Sequence, residues 1–314
     1  MGTTNGRTTQ SAASRFRQLL REPGIIMAPG AYDCLTAKII QQAGFPAVYM
    51  TGAGTSVAQL GYPDLALATM TEMVSNAANI AEAVDVPVIA DADTGYGGVL
   101  NVQRTVRQYQ RAGVAAIHIE DQEFPKRCGH LDDKRVVSQS DMVRKIRAAV
   151  DARTDPDFTI IVRTDALAVT DWDDTMQRCQ AYVEAGADML FVEALRTSEQ
   201  AERAARSFDV PLLYNFVETG KSPLLPAAEL EKLGFKLVIF PVSALLTVCR
   251  SILGLMRELK ETGTTAHLLD GMVSLEQCFE TVGLTGMLAT DAGYSVVDTE
   301  AEGRGMEVKG MVDV

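Results

Sequence analysis

Four times along the chain, a stretch with helical periodicity ends in glycine and gives way within a few residues to an apolar run. Gln42-Ala43-Gly44 precedes Ala47-Val48-Tyr49-Met50, and Arg111-Ala112-Gly113 precedes Ala115-Ala116-Ile117-His118-Ile119. Glu184-Ala185-Gly186 precedes Met189-Leu190-Phe191-Val192, and Lys232-Leu233-Gly234 precedes Leu237-Val238-Ile239-Phe240. Glycine just past a helix end adopts the left-handed backbone that turns the chain out of the helix. The repeat therefore reads helix, cap, buried strand. Four more apolar runs fill the gaps: 25–28, 86–90, 158–162 and 210–214. All are continuously apolar rather than alternating, as parallel strands covered on both faces require. Helical spacing separates them, for example at Val102, Val106 and Tyr109, and at Met142, Ile146 and Val150. Eight strands alternating with helices predict an α/β fold, a (β/α)8 TIM barrel, with an open doubly wound sheet as the alternative.

No linker rich in Gly, Pro or Ser interrupts the 314 residues, so the chain reads as one domain, 1–314. The barrel occupies about 20–250, and a C-terminal helical appendage and tail occupy about 251–314, a surplus over one barrel that packs on it or on a partner subunit. The longest apolar run, Leu237 to Cys249, falls short of the roughly 18 residues of a membrane span and contains Pro241. It reads as a strand feeding a helix, so no membrane partner is expected.

Charge narrows the function classes. The chain has 29 basic and 41 acidic residues, a net charge of −12, which argues against a nucleic-acid partner. With 47% hydrophobic residues it is not a disordered chain. An acidic protein still binds an anion when a metal or a few arginines reverse the local field. The five cysteines, Cys34, Cys128, Cys179, Cys249 and Cys278, match no disulfide or zinc framework and read as mostly buried reduced thiols of a cytoplasmic protein. Arg7, Arg15, Arg17 and Arg21, with no acid before Glu22, weakly resemble a mitochondrial targeting segment. A terminus leading into a first helix is the preferred reading.

In such a barrel, chemistry sits where strands end. Those positions carry Tyr49-Met50-Thr51-Gly52-Ala53-Gly54, then Asp91-Ala92-Asp93-Thr94-Gly95-Tyr96-Gly97, then His118-Ile119-Glu120-Asp121-Gln122. Further on come Arg163-Thr164-Asp165, Glu193, Asn215, Glu218, Pro241 and Ser243. Asp91 and Asp93, two apart, share a strand face, as do His118 and Glu120. Carboxylates converging there repel one another unless a cation joins them. Oxygen ligands suit Mg²⁺ or Mn²⁺, and pairing with Arg163 and Lys126 is the alternative. Gly95-Tyr96-Gly97-Gly98 lacks the Gly-Lys-Ser/Thr of a P-loop. Lys126-Arg127-Cys128-Gly129-His130 sets a thiol among basic neighbours in a polar loop reaching about Val136. That setting favours proton exchange beneath a lid that excludes water.

These segments together resemble the isocitrate lyase/phosphoenolpyruvate mutase superfamily, over about residues 20 to 290. The match is closest to its short enzymes acting on 2-methylisocitrate, 2,3-dimethylmalate or oxaloacetate. The resemblance implies a (β/α)8 barrel and a homotetramer, a dimer of dimers that exchange the helix after strand eight. It implies Mg²⁺ at Asp91, Asp93 and Glu120. Thr51, Gly52, Ala53, Gly129, Arg163 and Asn215 would bind substrate, with His118 and Glu193 nearby, and Lys126, Cys128 and His130 on the gating loop. The implied activity is retro-aldol cleavage of the C2–C3 bond of a small 2-hydroxy di- or tricarboxylate, to a 2-keto acid and a carboxylate. Cys128 would protonate the carbanion, and Tyr49 and Glu193 are the candidate bases. Thr51-Gly52-Ala53-Gly54 and Val217 favour the dimethylmalate and oxaloacetate group, and Pro241 stands where the hydrolases place serine. Oxaloacetate hydrolysis or decarboxylation is the alternative, followed by phosphonate rearrangement, against which Cys128 speaks, and a binding protein without turnover. The electropositive field for the substrate is expected from the metal, Arg163, Lys126 and Arg127, and the pocket volume from Phe216, Val217, Leu225 and Phe240.

Overall fold

The computed structural model describes residues 10–129 and 131–294. Eight parallel strands close into a barrel in chain order: β1 (Ile26–Ala31), β2 (Val48–Met50), β3 (Val88–Asp91), β4 (Ala116–Glu120), β5 (Thr159–Thr164), β6 (Met189–Val192), β7 (Leu212–Asn215) and β8 (Leu237–Phe240). β8 pairs with β1, Ile26 against Leu237, which excludes the open sheet.

Why the runs are unbroken is visible in the two apolar layers. Ala28, Tyr49, Ile89, Ala116, Ile161, Phe191, Leu213 and Ile239 meet in one cluster inside the barrel. Their neighbours Met50, Ala90, Ile117, Val162, Leu190, Leu212 and Val238 join the helices in a second. Both faces of each strand are therefore apolar. The repeated caps hold as expected, with Gly44, Gly113, Gly186 and Gly234 at φ of 87°, 84°, 106° and 111°. Several strands run further than their apolar stretches: Asp91, Glu120, Arg163, Thr164 and Asn215 lie within the ladders. Backbone pairing continues there because Asp91, Glu120, Arg163 and Asn215 project into the barrel mouth, while Thr164, on the outer face, donates to Asp121 Oδ2 at 2.7 Å.

The helices are α1 (Ala12–Arg21), α2 (Cys34–Gln42), the short α3 (Gly52–Thr55), α4 (Met70–Ala83), α5 (Val99–Arg111) and α6 (Gln139–Ala152). They continue with α7 (Trp172–Glu184), α8 (Ser198–Ala205), α9 (Ala227–Leu233) and α10 (Ser243–Thr262). The arginines of the N-terminal segment have structural roles. Helix α1 closes the N-terminal mouth of the barrel, with Phe16 fully buried in the inner cluster. Arg15 donates to the Asp85 carbonyl at 2.7 Å and Arg17 to that of Asp157 at 3.0 Å, and Arg17 pairs with Asp188 at 2.7 Å. These partners precede β3, β5 and β6. Arg7 lies outside the described residues.

Helix α10 contains no buried residue and exposes Leu246, Val248, Ile252, Leu253 and Met256. The compact unit holding the barrel ends at Thr265, and a second begins at Ala266. The latter contains a 3₁₀ turn (Ala266–Gly271), α11 (Leu275–Thr281) and α12 (Leu284–Gly293). Among the described residues no helix is long and apolar enough to cross a membrane. The cysteines depart from expectation: all five are unbridged, yet only Cys179 is buried, and Cys249 is exposed. Cys249 sits on α10, in the exposed stretch from Leu246 to Gly254.

Candidate active site

The C-terminal mouth of the barrel holds a cavity open to solvent. Tyr49, Thr51, Ala53, Asp91, Lys126, Cys128, Gly129, Arg163, Glu193 and Asn215 line it. Ten expected site residues, drawn from six segments, thus meet at one place. Gly52, Asp93, His118 and Glu120 sit behind this lining, and His130 lies outside the described residues.

Alternation on β4 places His118 and Glu120 inside, both buried. Asp93 departs from the simple strand reading. It lies past the end of β3 in left-handed backbone, φ 46°, which Asp tolerates better than most residues. Its N–H turns back to Asp91 Oδ1 at 2.9 Å. Tyr109 also fixes that strand end, donating to the Asp91 carbonyl at 2.8 Å.

The acids are shared between protein cations. Lys126 Nζ stands 2.8 Å from Asp93 and 2.5 Å from Asp64. Lys126 was expected on a mobile gate but its side chain is only 3% exposed, because these two carboxylates draw it inward. Burial disfavours its ammonium, yet Asp93, Asp64, Glu120 and Asp91 outweigh that and hold its pKa well above the usual lysine value. Arg163 forks onto Asp165 through Nε at 2.9 Å and Nη2 at 3.0 Å, and approaches Glu120 and Glu193, each at 3.3 Å. Glu193 also accepts from Asn215 Nδ2 at 2.9 Å. Arg127 does not serve the cavity as expected. Its guanidinium donates to the Asp132 carbonyl and pairs with Asp133, and its side chain is 46% exposed.

Burial raises the pKa of Asp91, pushes Asp93 up to about 6, and raises Glu120 well above the carboxylate range. Lys126 and Arg163 only partly offset it. One oxygen of Glu120, Oε1, is buried without a hydrogen-bond partner. Six carboxylates (Asp64, Asp91, Asp93, Glu120, Asp165 and Glu193) meet three cations (Lys126, Lys134 and Arg163), leaving three excess negative charges if all ionise. Among the described residues, no three His, Cys, Asp or Glu side chains form a ready-made metal cage.

His118 lies against Tyr49, Nε2 to the phenol oxygen at 2.8 Å, with Asp91 Oδ1 3.4 Å from the same nitrogen. Burial, then Arg163, lowers its pKa to about 3, so the ring is neutral. The Asp91 oxygen favours the tautomer with hydrogen on Nε2, which leaves the phenol hydrogen of Tyr49 free for the cavity. Burial and then Asp91 hold the Tyr49 pKa well above 10, so the group stays a phenol.

The loop between β4 and α6 brings in the thiol. A β-carbon on Gly129 would lie 2.3 Å from Arg163 Nη2 and 2.7 Å from Glu193 Oε2, so only glycine allows the tip to rest on these groups. The sequence reading missed Asp64, which lines the cavity from a turn after α3, where Tyr62-Pro63-Asp64 is the available signal. It also misplaced part of the wall. Val217 lines the cavity, but with Ile239, Pro241 and Val242. Phe216, Leu225 and Phe240 pack into the outer apolar layer instead. Residue 217 lies beyond β7, where strand alternation no longer predicts facing.

Fold and site together define a barrel enzyme with its chemistry on the C-terminal rim. A phosphoenolpyruvate phosphomutase family model matches residues 16–260. The chain is 45% identical to the 2,3-dimethylmalate lyase of Eubacterium barkeri over 285 residues, 91% of this chain and 99% of that one. It is 38% identical to the 2-methylisocitrate lyase of Halalkalibacterium halodurans, over 91% and 94% of the two chains. Among solved structures it resembles an oxaloacetate acetylhydrolase bound to 3,3-difluorooxalacetate, with TM-score 0.87, 40% identity and coverage of 90% and 97%. It also resembles a phosphonopyruvate hydrolase complexed with oxalate and Mg²⁺, with TM-score 0.82, 30% identity and coverage of 91% and 99%. The chain belongs to the phosphoenolpyruvate mutase/isocitrate lyase superfamily.

Proposed function

We propose that the protein is a Mg²⁺- or Mn²⁺-dependent carbon–carbon lyase that cleaves a small 2-hydroxy dicarboxylate of the 2,3-dimethylmalate type. One observation carries this reading: Cys128 lines the same cavity as Arg163, Asn215 and Asp91. An anion binder and a proton donor therefore face one ligand.

The donor set fits a hard divalent cation. Asp91, Asp93 and Glu120 offer only oxygen, their charge exceeds what Lys126 and Arg163 offset, and Glu120 Oε1 lacks a partner. When bound, the metal supplies Lewis-acid stabilisation of the 2-oxygen and its carboxylate.

The chain's own residues do the rest. Thr51 to Ala53 receive the keto-acid end, and Arg163 and Asn215 bind oxygens of the remote half. Glu193 takes the hydroxyl proton, and Tyr49, held as a phenol, donates to the 2-oxygen. The C2–C3 bond then breaks, its electron pair moving onto C3 beside the carboxylate. The Cys128 thiol protonates C3, and solvent restores the thiol when the loop opens. Val217, Ile239, Pro241 and Val242 form an apolar wall without a cation for a third carboxylate, which favours alkyl substituents over a tricarboxylate.

Oxaloacetate hydrolysis is the competing reading, favoured by the likeness to the acetylhydrolase. Against it, Pro241 lines the cavity, and the Ser243 hydroxyl is engaged by Glu218. Product analysis decides between them. Pyruvate plus propionate from 2,3-dimethylmalate is the expected result; oxalate plus acetate from oxaloacetate, with no keto acid from 2,3-dimethylmalate or 2-methylisocitrate, would replace the lyase reading. We further propose a cytoplasmic homo-oligomer in which a second copy covers the apolar face of α10, in the homotetramer of helix-exchanged pairs that the family resemblance implies.

A further inference from the structure

We propose that Lys134 is a positioning residue: it latches the Cys128 loop to the counter-ion of Arg163, so that loop closure and the aim of the arginine are one event. The inference rests on Cys128 and Arg163 acting as proton donor and anion binder.

The base of the loop is stitched by backbone bonds, from Glu123 N to the Arg135 carbonyl at 2.8 Å and from Val137 N to the Asp121 carbonyl at 2.9 Å. Lys134 stands on the returning segment, and its side chain is only 2% exposed. Its ammonium donates to the Gly129 carbonyl at 2.5 Å and to Asp165 Oδ1 at 2.6 Å. The first acceptor is the backbone of the loop tip, next to Cys128. The second is the carboxylate that holds Arg163 in a fork.

One ammonium thus spans two parts of the site. With Lys134 present, the charge of Asp165 is divided between two cations, and Arg163 keeps attraction for a substrate oxygen. Without it, Asp165 draws on Arg163 alone, and the Gly129 carbonyl loses its donor. A buried carbonyl in that state favours a conformation that reaches water, which is the open loop. The outer ion pair of the loop, Lys221 with Asp132, leaves Asp132 88% exposed.

The test reads the loop without turnover. Full-length Lys134→Met and Lys134→Gln are treated with iodoacetamide in oxalate and MgCl₂, and Cys128 alkylation is followed by mass spectrometry against half-buried Cys34, which lies on α2 away from the cavity. Native protein is expected to protect Cys128. In the neutral variants Cys128 is expected to be alkylated about tenfold faster at an unchanged Cys34 rate, with kcat down at least about tenfold and KM changing less. Lys134→Arg, which keeps the cation, is expected to recover part of the protection, and it decides the matter if the neutral variants do not melt cooperatively. Lys221→Met is expected to match the native protein. Native protection and native kcat in a folded Lys134→Met or Lys134→Gln would overturn the latch, as would Lys134→Arg, where it alone folds, matching fully reactive Cys128. The alkylation outcomes do not depend on the lyase assignment, which fails separately if Cys128→Ala retains full activity.

Discussion

Gly52 and Asp91 are packed so closely that a β-carbon on the glycine would stand 2.2 Å from Asp91 Oδ2. The carboxylate cannot simply swing aside, since its other oxygen accepts from Asp93 N and faces His118. Gly52→Ala should therefore displace Asp91. We expect a loss of about 1–3 kcal/mol in stability, as for overpacked sites, and a higher Mg²⁺ concentration for half-maximal activity. Urea titration and a metal titration check the two effects separately.

Cys128→Ala should lower keto-acid release by about 10²–10⁴-fold, the usual range for a lost proton donor. Its melting temperature should stay near native, because the thiol lines a cavity rather than filling the core. Steady-state kinetics beside a thermal melt tests this.

Chelation should abolish turnover. Several kcal/mol of Lewis-acid stabilisation correspond to at least about a hundredfold in rate. Dialysis against EDTA, followed by re-addition of Mg²⁺ or Mn²⁺, should show loss and recovery. Undiminished activity in EDTA would remove the metal from the mechanism.

Asp165 gives a pH prediction. Burial would raise its pKa, but Arg163 and Lys134 hold it well below the usual carboxylate range. The sign follows: its stabilisation is fully present above the unfolded value of about 3.9 and is lost as pH falls from there toward the folded value. Asp165→Asn strands two buried cations and should cost about 3–5 kcal/mol at neutral pH. The variant should then lose less additional stability than the native protein below about pH 4. Urea midpoints at pH 7 and pH 3.5 provide the comparison.

The barrel was legible in the sequence because strands covered on both faces cannot hide their apolar runs, and because four glycine caps repeat the same turn. The rim was legible as chemistry, since polar residues gather where those runs stop. Its pairing was not. Lys126 reaches Asp64 across 62 residues and Lys134 reaches Asp165 across 31, distances at which no local spacing rule operates. Asp93 shows the limit of alternation, which holds within a strand and fails two residues past its end. Arg127 and Lys126, adjacent and alike in charge, part company because only Lys126 has buried carboxylates within reach.

Helix α1 has a consequence for the order of assembly. Its partners, Asp85, Asp157 and Asp188, belong to segments made long after it, and Phe16 has no inner cluster to enter until the strands have closed. Such non-local contacts form only after the intervening loops have been ordered. Helix α1, though it precedes every strand in the chain, is therefore among the last elements to dock, and it seals the barrel from below.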